Sequence, residues 1–487
     1  MAGALICETV TGADMTELRR NRDAAGRADI VELRLDGVRD VDVAGALEGR
    51  SRPVVVTCRP SWDGGRFTGS EETRLGWLAD AVARGAEYVD VEHLADWQRV
   101  PRAEGTGLVL SFHDWHGVPA DLADRVRAMR QARPAIVKVA VTAHRLADCI
   151  QIRAAGPAEP GLVAIAMGKS GQITRTCPWL FGSCWTYAGR SAPGQLPTHV
   201  LIDRYRVRAG STSTALYGVA GWPLGHSASP AMHNAAFAAT GLDAAYVPLE
   251  AESADEIDGA AAAFGVRGLS VTAPFKQRMF TRAVQADDRT IRLGAANTLQ
   301  RGDGGWHARN FDVEGFVGPL QRRGLVLQGW RAVVLGAGGA ARAVVLGLKE
   351  GGAMVAVSAR NAARAQRVAQ GLGAEAARWP PGGRWDLAVN ATPAGMWPDV
   401  DGVPLRPGRI DCAMAYDLVY NPPETAWLRG VRQAGGAVIG GLEMLVEQAC
   451  RQFEWWTGQA APRAVVEAAA HRFVTVEVQE SHATDDV

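Results

Sequence analysis

The chain has 487 residues, enough for about three domains of ordinary size. Its 52 Lys and Arg equal its 52 Asp and Glu, so no overall charge draws it to nucleic acid or an anionic membrane, and 47% hydrophobic against 21% charged residues exclude a disordered chain. Seven cysteines with no C-x-x-C pair exclude a disulfide framework, and apolar runs broken well short of about 18 residues exclude a membrane-spanning helix.

The first residues, Met1-Ala-Gly-Ala-Leu-Ile-Cys-Glu8, lack the basic start of a signal peptide, so a reducing, cytoplasmic setting is expected. Short β-branched runs then alternate with Ala/Arg/Leu-rich stretches of helical period. Strands are predicted at Leu5–Glu8, Ile30–Leu35, Val54–Cys58, Tyr88–Glu92, Leu108–Phe112, Ile136–Val141, Leu162–Met167 and Cys184–Tyr187. Helices such as Glu72–Arg84 and Leu122–Gln131 lie between them. Eight such units fit a short (β/α)8 barrel, although an open sheet has the same periodicity. Glu32, Arg34, Arg59, Glu92, His113 and Lys138 collect at the C-terminal strand ends, where barrels carry their sites.

The polar run Arg208-Ala-Gly-Ser-Thr-Ser-Thr214 has the composition of a linker, and the pattern restarts at Leu216-Tyr-Gly-Val-Ala-Gly221. Further strands are predicted near Ala245–Pro248, Gly268–Thr272, Ala296–Gln300, Ala332–Leu335, Met354–Ser358, Leu387–Asn390, Met414–Leu418 and Val438–Ile439. A helix over Arg463–His471 precedes a polar tail. The expected division is a barrel over 1–208, a linker over 209–214, one α/β lobe over 215–315 completed by 441–474, a second lobe over 316–440, and a loose tail over 475–487.

Lys138 lies within Ala135-Ile-Val-Lys-Val-Ala-Val141. Apolar neighbours are expected to desolvate its amine and favour the uncharged form that attacks a carbonyl. The bland reading is a lysine snorkelling from an edge strand. His113 would end the preceding strand, where a core or surface histidine is the bland reading for it and for His116. Arg34, Arg59 and Arg175 add positive charge to the same mouth, which implies a carboxylate or phosphate substrate.

These residues fall in stretches that resemble the type I 3-dehydroquinate dehydratases. The stretches are Glu32-Leu-Arg-Leu-Asp36, Thr57-Cys-Arg-Pro60 with Gly64-Gly65, Ser111-Phe-His-Asp-Trp-His116, Val137-Lys-Val-Ala140, Ile173-Thr-Arg175 and Ser191-Ala-Pro-Gly-Gln195. The resemblance covers about residues 1–208 and implies a barrel without metal or organic cofactor. It implies that Lys138 forms a Schiff base with the substrate ketone and that His113 moves the protons. Arg175, Ser191 and Gln195 would then bind the substrate's carboxylate end, and Glu32, Arg34 and Arg59 would hold its hydroxyls and the lysine. Where that family has a glutamate orienting the histidine, this chain has Asp63, one methylene shorter. A small backbone adjustment or an altered rate is expected.

Further on, Val333-Val-Leu-Gly-Ala-Gly-Gly-Ala-Ala-Arg342 reads as strand, glycine turn and helix start. Gly336, Gly338, Gly339 and Ala340 would bring backbone N–H groups to a pyrophosphate; a packing turn is the alternative. The next strand ends in Ser358-Ala-Arg-Asn361 with Arg364 beyond. Arg360 and Arg364 stand where an acid would bind the ribose of NAD, which favours the 2′-phosphate of NADP.

Gly225-His-Ser-Ala-Ser-Pro230, Ser270-Val-Thr-Ala-Pro-Phe-Lys276, Gly294-Ala-Ala-Asn-Thr298 and Asn310-Phe-Asp312 read blandly as turn serines and a surface lysine. Together with Asn390-Ala-Thr-Pro-Ala-Gly-Met396, Asp417-Leu-Val-Tyr420 and Gly441-Leu-Glu-Met-Leu-Val-Glu-Gln448, they resemble shikimate dehydrogenase over about residues 215–474. That resemblance implies a two-lobed α/β unit whose Rossmann-type cofactor lobe binds NADP, with Asn390 near it. Lys276 and Asp312 would be the catalytic pair. Ser227 and Ser229 would hold a carboxylate, Thr272, Asn297 and Gln448 would contact hydroxyls, and Tyr420 would lie near substrate and cofactor. Ser227 with Thr272 favours shikimate over quinate. Phe311 replaces the family's threonine: facing the pocket it would alter specificity, and facing the core it would be silent. Ala359 and Asn361 also replace the more usual Asn and Thr.

Both halves together imply two consecutive steps on small carboxylates, 3-dehydroquinate and 3-dehydroshikimate, with no nucleic-acid or membrane partner and an open oligomeric state. A quinate/shikimate dehydrogenase of altered specificity, or a scaffold with decayed sites, are the competing classes. Retention of Lys138, His113, Lys276 and Asp312 argues against the scaffold.

Overall fold

A computed structural model describes residues 3–156, 160–224, 227–406 and 409–477. Gly225 and His226, singled out above, lie outside the described residues, as does the tail from 478 onward. One compact unit is built on residues up to Gly218 together with Asp243–Val266, the other on Val219–Leu242 together with the residues from Arg267 on.

The first unit carries eight parallel strands: β1 (Leu5–Val10), β2 (Ile30–Arg34), β3 (Val54–Thr57), β4 (Tyr88–Glu92), β5 (Gly107–Asp114), β6 (Ile136–Thr142), β7 (Leu162–Met167) and β8 (Trp185–Ala188). Each neighbours the next in the sheet, and β8 pairs with β1. Between β7 and β8 the ring closes through a bridge of Leu162 with Ser183, backed by a Cys184 N–H to Leu162 carbonyl bond of 2.9 Å. This closure makes a barrel rather than an open sheet. Cys7, Val55, Val109, Val163, Ile165, Trp185 and Tyr187 fill its interior, and a second apolar cluster under the helices contains Leu18, Leu33, Val56, Leu78 and Val91.

Strand alternation decides what faces the interior, because residues two apart share a face. Glu32 and Arg34, Asp90 and Glu92, Ser111 and His113, and Lys138 and Ala140 are such pairs. Register sets their heights: Thr57 lies beside Asp90, Glu92 beside Ser111, Ser111 beside Lys138, and His113 beside Ala140. His113 therefore stands one inward layer above Lys138, on the adjacent strand.

The remaining strands are β9 (Ala215–Gly221), β10 (Ala244–Glu250), β11 (Val266–Val271), β12 (Ala283–Ala286), β13 (Thr298–Gly302) and β14 (Gly305–Arg309), in the order β10-β9-β11-β13-β14-β12. A parallel sheet follows: β15 (Arg331–Leu335), β16 (Met354–Ser358), β17 (Glu375–Ala377), β18 (Arg384–Asn390), β19 (Asp411–Asp417) and β20 (Ala437–Ile439). Its order, β17-β16-β15-β18-β19-β20, is the doubly wound arrangement whose ligand crevice opens where the order reverses, between β15 and β18. The long helix Gly441–Thr457 returns to the earlier sheet: Gln452 bonds Ser270 and Thr298, and the Trp456 indole N–H donates to the Leu299 carbonyl at 3.0 Å. Strands β12, β14 and β17 are absent from the sequence expectation; β12 and β17 are short and mostly exposed, and β14 alternates without a long apolar run.

Candidate active sites

At the barrel mouth one cavity is lined by Glu32, Arg34, Arg59, Asp63, His113, Lys138, Arg175, Ser191 and Gln195, whereas Glu92, also expected at the strand ends, is buried behind it against Arg59 and Arg74. Thr9, Trp115 and Tyr187 complete much of the wall. Lys138 Nζ is not in apolar surroundings, contrary to the expectation from its sequence neighbours. It lies 3.2 Å from Glu32 Oε1 and 2.9 Å from Asp90 Oδ2, because strands β2 and β4 turn acids into the same interior. The Tyr187 ring lies beneath it, its centroid 4.2 Å from Nζ.

The expected ring of uncompensated arginines is also corrected. Arg34 makes a two-pronged ion pair with Asp36, at 2.8 and 2.9 Å. Arg59 is buried and donates to Glu92 at 2.6 Å, Ser111 Oγ at 2.8 Å, Asp90 at 2.9 Å and Asp63 at 3.3 Å. Only Arg175 keeps the character expected of an anion site. It is buried, bonds the carbonyls of Tyr187 and Pro193 at 3.2 and 3.3 Å, leaves its Nε unpaired, and has no carboxylate partner among the described residues. Burial lowers its guanidinium to about 10, so it remains a cation at neutral pH.

His113 Nδ1 is 2.8 Å from Asp63 Oδ2. A carboxylate only accepts, so Nδ1 carries the proton and Nε2 is left as a base. Burial first, then the Arg59 charge, pulls the imidazole down to about 4 against the opposing pull of Asp63, so His113 is neutral at physiological pH. The shorter Asp63 still reaches both His113 and Arg59, through the turn Ser61–Asp63 that Gly64 ends with φ +77°. Trp115 stacks on His113 at 6.2 Å and 14° between planes. Ser191 and Gln195 hold each other: Gln195 Oε1 accepts from the Ser191 N–H at 2.7 Å, the Ser191 hydroxyl at 3.1 Å and the Ala192 N–H at 3.1 Å.

In the second unit Lys276 Nζ and Asp312 Oδ2 are 2.5 Å apart. Asn297 donates to the other Asp312 oxygen at 2.8 Å and accepts from the Phe311 N–H at 2.9 Å and Thr298 Oγ1 at 2.6 Å. Its amide therefore positions Asp312. Gln452, which the sequence reading missed, buttresses Thr298 from the long helix at 3.0 Å. Ser227 Oγ accepts from the Ser229 N–H at 3.3 Å, Thr272 and Tyr420 are half-buried, and Gln448 donates to the Leu445 carbonyl at 2.8 Å.

Around the crevice between β15 and β18, Gly336 has φ +116°, and a Cβ there would lie 2.8 Å from the Ala391 carbonyl oxygen. Gly338 and Gly339 face open space at the start of helix Gly339–Glu350, with Ala340 following them. Arg360 and Arg364 are exposed beyond β16, and Asn361 caps the next helix by accepting from the Arg364 N–H at 3.0 Å. A bare backbone cradle with two free-standing arginines suits a dinucleotide carrying an extra phosphate. Asn390 is occupied internally, donating to Asp417 at 2.9 Å and accepting from Thr392 at 2.6 Å, so it shapes the loop.

Phe311 faces the core. It is buried and meets Trp455 edge-on at 5.9 Å and 65°. Phe311→Thr is expected to cost about 3 kcal/mol through the lost ring contact, read as an earlier thermal transition by calorimetry, with the second unit's ligand affinities within about twofold of the parent.

Comparisons with known proteins bear on both sites. Residues 6–212 match the model of type I 3-dehydroquinase, 219–299 that of the shikimate dehydrogenase substrate binding domain, and 441–471 that of the shikimate 5′-dehydrogenase C-terminal domain. A chloroplastic bifunctional 3-dehydroquinate dehydratase/shikimate dehydrogenase of Arabidopsis thaliana is 30% identical over 501 residues, spanning 94% of this chain and 83% of that protein. A shikimate dehydrogenase (NADP(+)) of Moorella thermoacetica is 40% identical over 275 residues, 52% of this chain and 92% of its own. The crystal structure of Thermus thermophilus shikimate 5-dehydrogenase in complex with NADP(H) and shikimate matches with TM-score 0.51 and 34% identity, covering 53% of this chain and all (100%) of that one. With a relative of that identity aligned along nearly its whole length, the chain belongs to the family of bifunctional 3-dehydroquinate dehydratase/shikimate dehydrogenases.

Proposed function

We propose that the chain dehydrates 3-dehydroquinate to 3-dehydroshikimate at the barrel mouth and reduces 3-dehydroshikimate to shikimate with NADPH in the second unit. The observation that carries this reading is the meeting of Lys138, a neutral His113 and the acid-free Arg175 in one cavity. All seven cysteines are free, which suits a reducing, cytoplasmic setting.

In the barrel the substrate carboxylate lies against Arg175, and Gln195 closes over it. Lys138 gives its ammonium proton to the neutral His113 and adds to the ketone carbon as the free amine; the same proton then leaves with the carbinolamine oxygen as water, so that a protonated imine and a neutral His113 remain. His113 Nε2 takes the adjacent carbon-bound proton; the C–H electron pair becomes a C=C bond to the imine carbon and the C=N π pair moves onto nitrogen, giving an enamine. The enamine expels the neighbouring hydroxyl, which leaves as water with the proton from His113, and hydrolysis of the imine frees the product and the lysine. One water is consumed and two are released, so the net reaction is a dehydration.

In the second unit Ser227 and Ser229 hold the carboxylate, and Thr272 and Gln448 meet hydroxyls. When bound, NADPH supplies the hydride that adds to the ketone carbon. Lys276 delivers a proton to the ketone oxygen, and Asp312, fixed by Asn297, aims the ammonium and balances its charge. Arg360 and Arg364 select the phosphorylated cofactor. Ser227 with Thr272 favours shikimate over quinate.

Separate sites predict separable losses. Lys138→Ala is expected to abolish dehydration and borohydride trapping of an adduct with 3-dehydroquinate while shikimate oxidation continues; Lys276→Ala is expected to do the reverse. Loss of both activities in either folded variant would contradict the assignment. Because burial and Arg59 oppose protonation of His113, dehydration is expected to hold as pH falls until about pH 4, where the imidazole charges. Asp63→Asn removes the group that favours the imidazolium and anchors Nδ1; it should move that acid limb lower and reduce kcat by about 10²–10⁴-fold, with Asp63→Glu retaining activity. Replacing Arg360 and Arg364 by alanine should raise KM for NADPH by about tenfold or more and leave KM for NADH near its starting value.

A further inference from the structure

The Schiff-base chemistry leaves the buried carboxylate behind the lysine without a role. Asp90 on β4 is wholly excluded from solvent and lies 2.9 Å from Lys138 Nζ. It accepts a further bond from Ser111 Oγ at 2.6 Å and another from Arg59 at 2.9 Å. Glu32, the other acid beside the lysine, lines the cavity and also accepts from Thr9 at 2.8 Å and Thr57 at 3.0 Å. Asp90 is not part of the cavity wall. An arriving substrate meets Glu32 and Lys138, while Asp90 stays behind the amine, with the Tyr187 ring on another side at 4.2 Å.

We propose that Asp90 is a further catalytic residue of the dehydratase, the fixed counter-ion that keeps the Lys138 imine protonated. The proposal rests on the Schiff-base reading above. When the carbinolamine loses water, the lysine nitrogen is left with a C=N bond, one proton and a full positive charge. Only that charged imine draws the C–H electron pair efficiently; the neutral imine is a far weaker sink. Arg34, Arg59 and Arg175 already place three cations around the cavity, and they oppose a fourth. The Asp90 carboxylate offsets them at contact distance, where a pair excluded from water interacts strongly. It does not take the imine proton itself. Burial alone would push its carboxyl up, but Arg59, Lys138 and the Ser111 hydrogen bond bring it below the usual carboxylate range. The Tyr187 face adds a weaker attraction for the same charge.

Asp90→Asn in the full chain tests this by borohydride trapping with 3-dehydroquinate and by the pH profile of dehydration. Trapped adduct and kcat are expected to fall by about 10²-fold, and the alkaline limb to move at least about one pH unit lower. Shikimate oxidation by the same molecules, which reports that the second unit is folded, should be unchanged, and an unchanged far-ultraviolet circular dichroism spectrum reports that the barrel is folded. Asp90→Glu keeps the charge and should recover part of both losses. An unmoved alkaline limb, or equal losses in the Asn and Glu variants, overturns the counter-ion role. Persistence of the trapped adduct in Lys138→Ala would instead overturn the Schiff-base reading itself.

Discussion

The dehydratase cavity depends on one guanidinium with almost no access to water. Arg59 is 4% exposed and is held by three carboxylates and a serine hydroxyl from its own turn and from strands β4 and β5. Burial works against its charge, yet Asp90, Glu92, Asp63 and Glu32 keep it protonated far above the usual range. Removing one partner from such a cluster leaves an uncompensated buried charge, at about 3–5 kcal/mol. Glu92 passes the constraint outward, since its second oxygen is bound by the fully buried Arg74 of the helix Glu71–Ala83 at 2.6 Å. The same cation depresses the basicity of His113 and holds the carboxylate behind Lys138. One residue thus adds to the effect of burial on the base and fixes the charge around the nucleophile.

The second unit reaches its chemistry with far less buried charge. Its pair, Lys276 with Asp312, is partly open, the lysine side chain being 23% exposed. Neutral groups hold it: Asn297 grips Asp312, Thr298 grips Asn297, and Gln452 grips Thr298. A chain of amides and hydroxyls aims the pair without imposing a net field, and each member is satisfied, as buried polar networks need to be.

Much of this was readable from residue order. All eight barrel strands and the glycine turn after β15 announce themselves because buried parallel strands are short segments rich in β-branched and aromatic residues, and because a turn that must pass close to the Ala391 carbonyl needs glycine. Closure of the barrel was not readable from periodicity and was expected from the resemblance alone, since it rests on the bridge between Leu162 and Ser183. The charge state of the cavity was not readable either. Asp90 and Glu92 are two residues apart in an otherwise apolar strand, a visible sign of an inward acidic face, yet which cation each acid meets depends on register between strands. Lys138 looked desolvated among its sequence neighbours for the same reason. The core placement of Phe311 depended on Trp455, distant in sequence and brought back by the long helix.

Gln195 shows how a loop selects which end of a side chain it presents. Its carbonyl oxygen is saturated by three donors of its own loop, two of them backbone N–H groups. An amide with its oxygen so engaged offers the cavity only its NH2. The side chain is therefore polarised before any ligand arrives and can give hydrogen bonds but not receive them. Beside Arg175, which also only donates, it makes that end of the cavity blind to hydroxyl protons and receptive to lone pairs. The carboxylate end of a ligand is recognised there by what it lacks as much as by its charge.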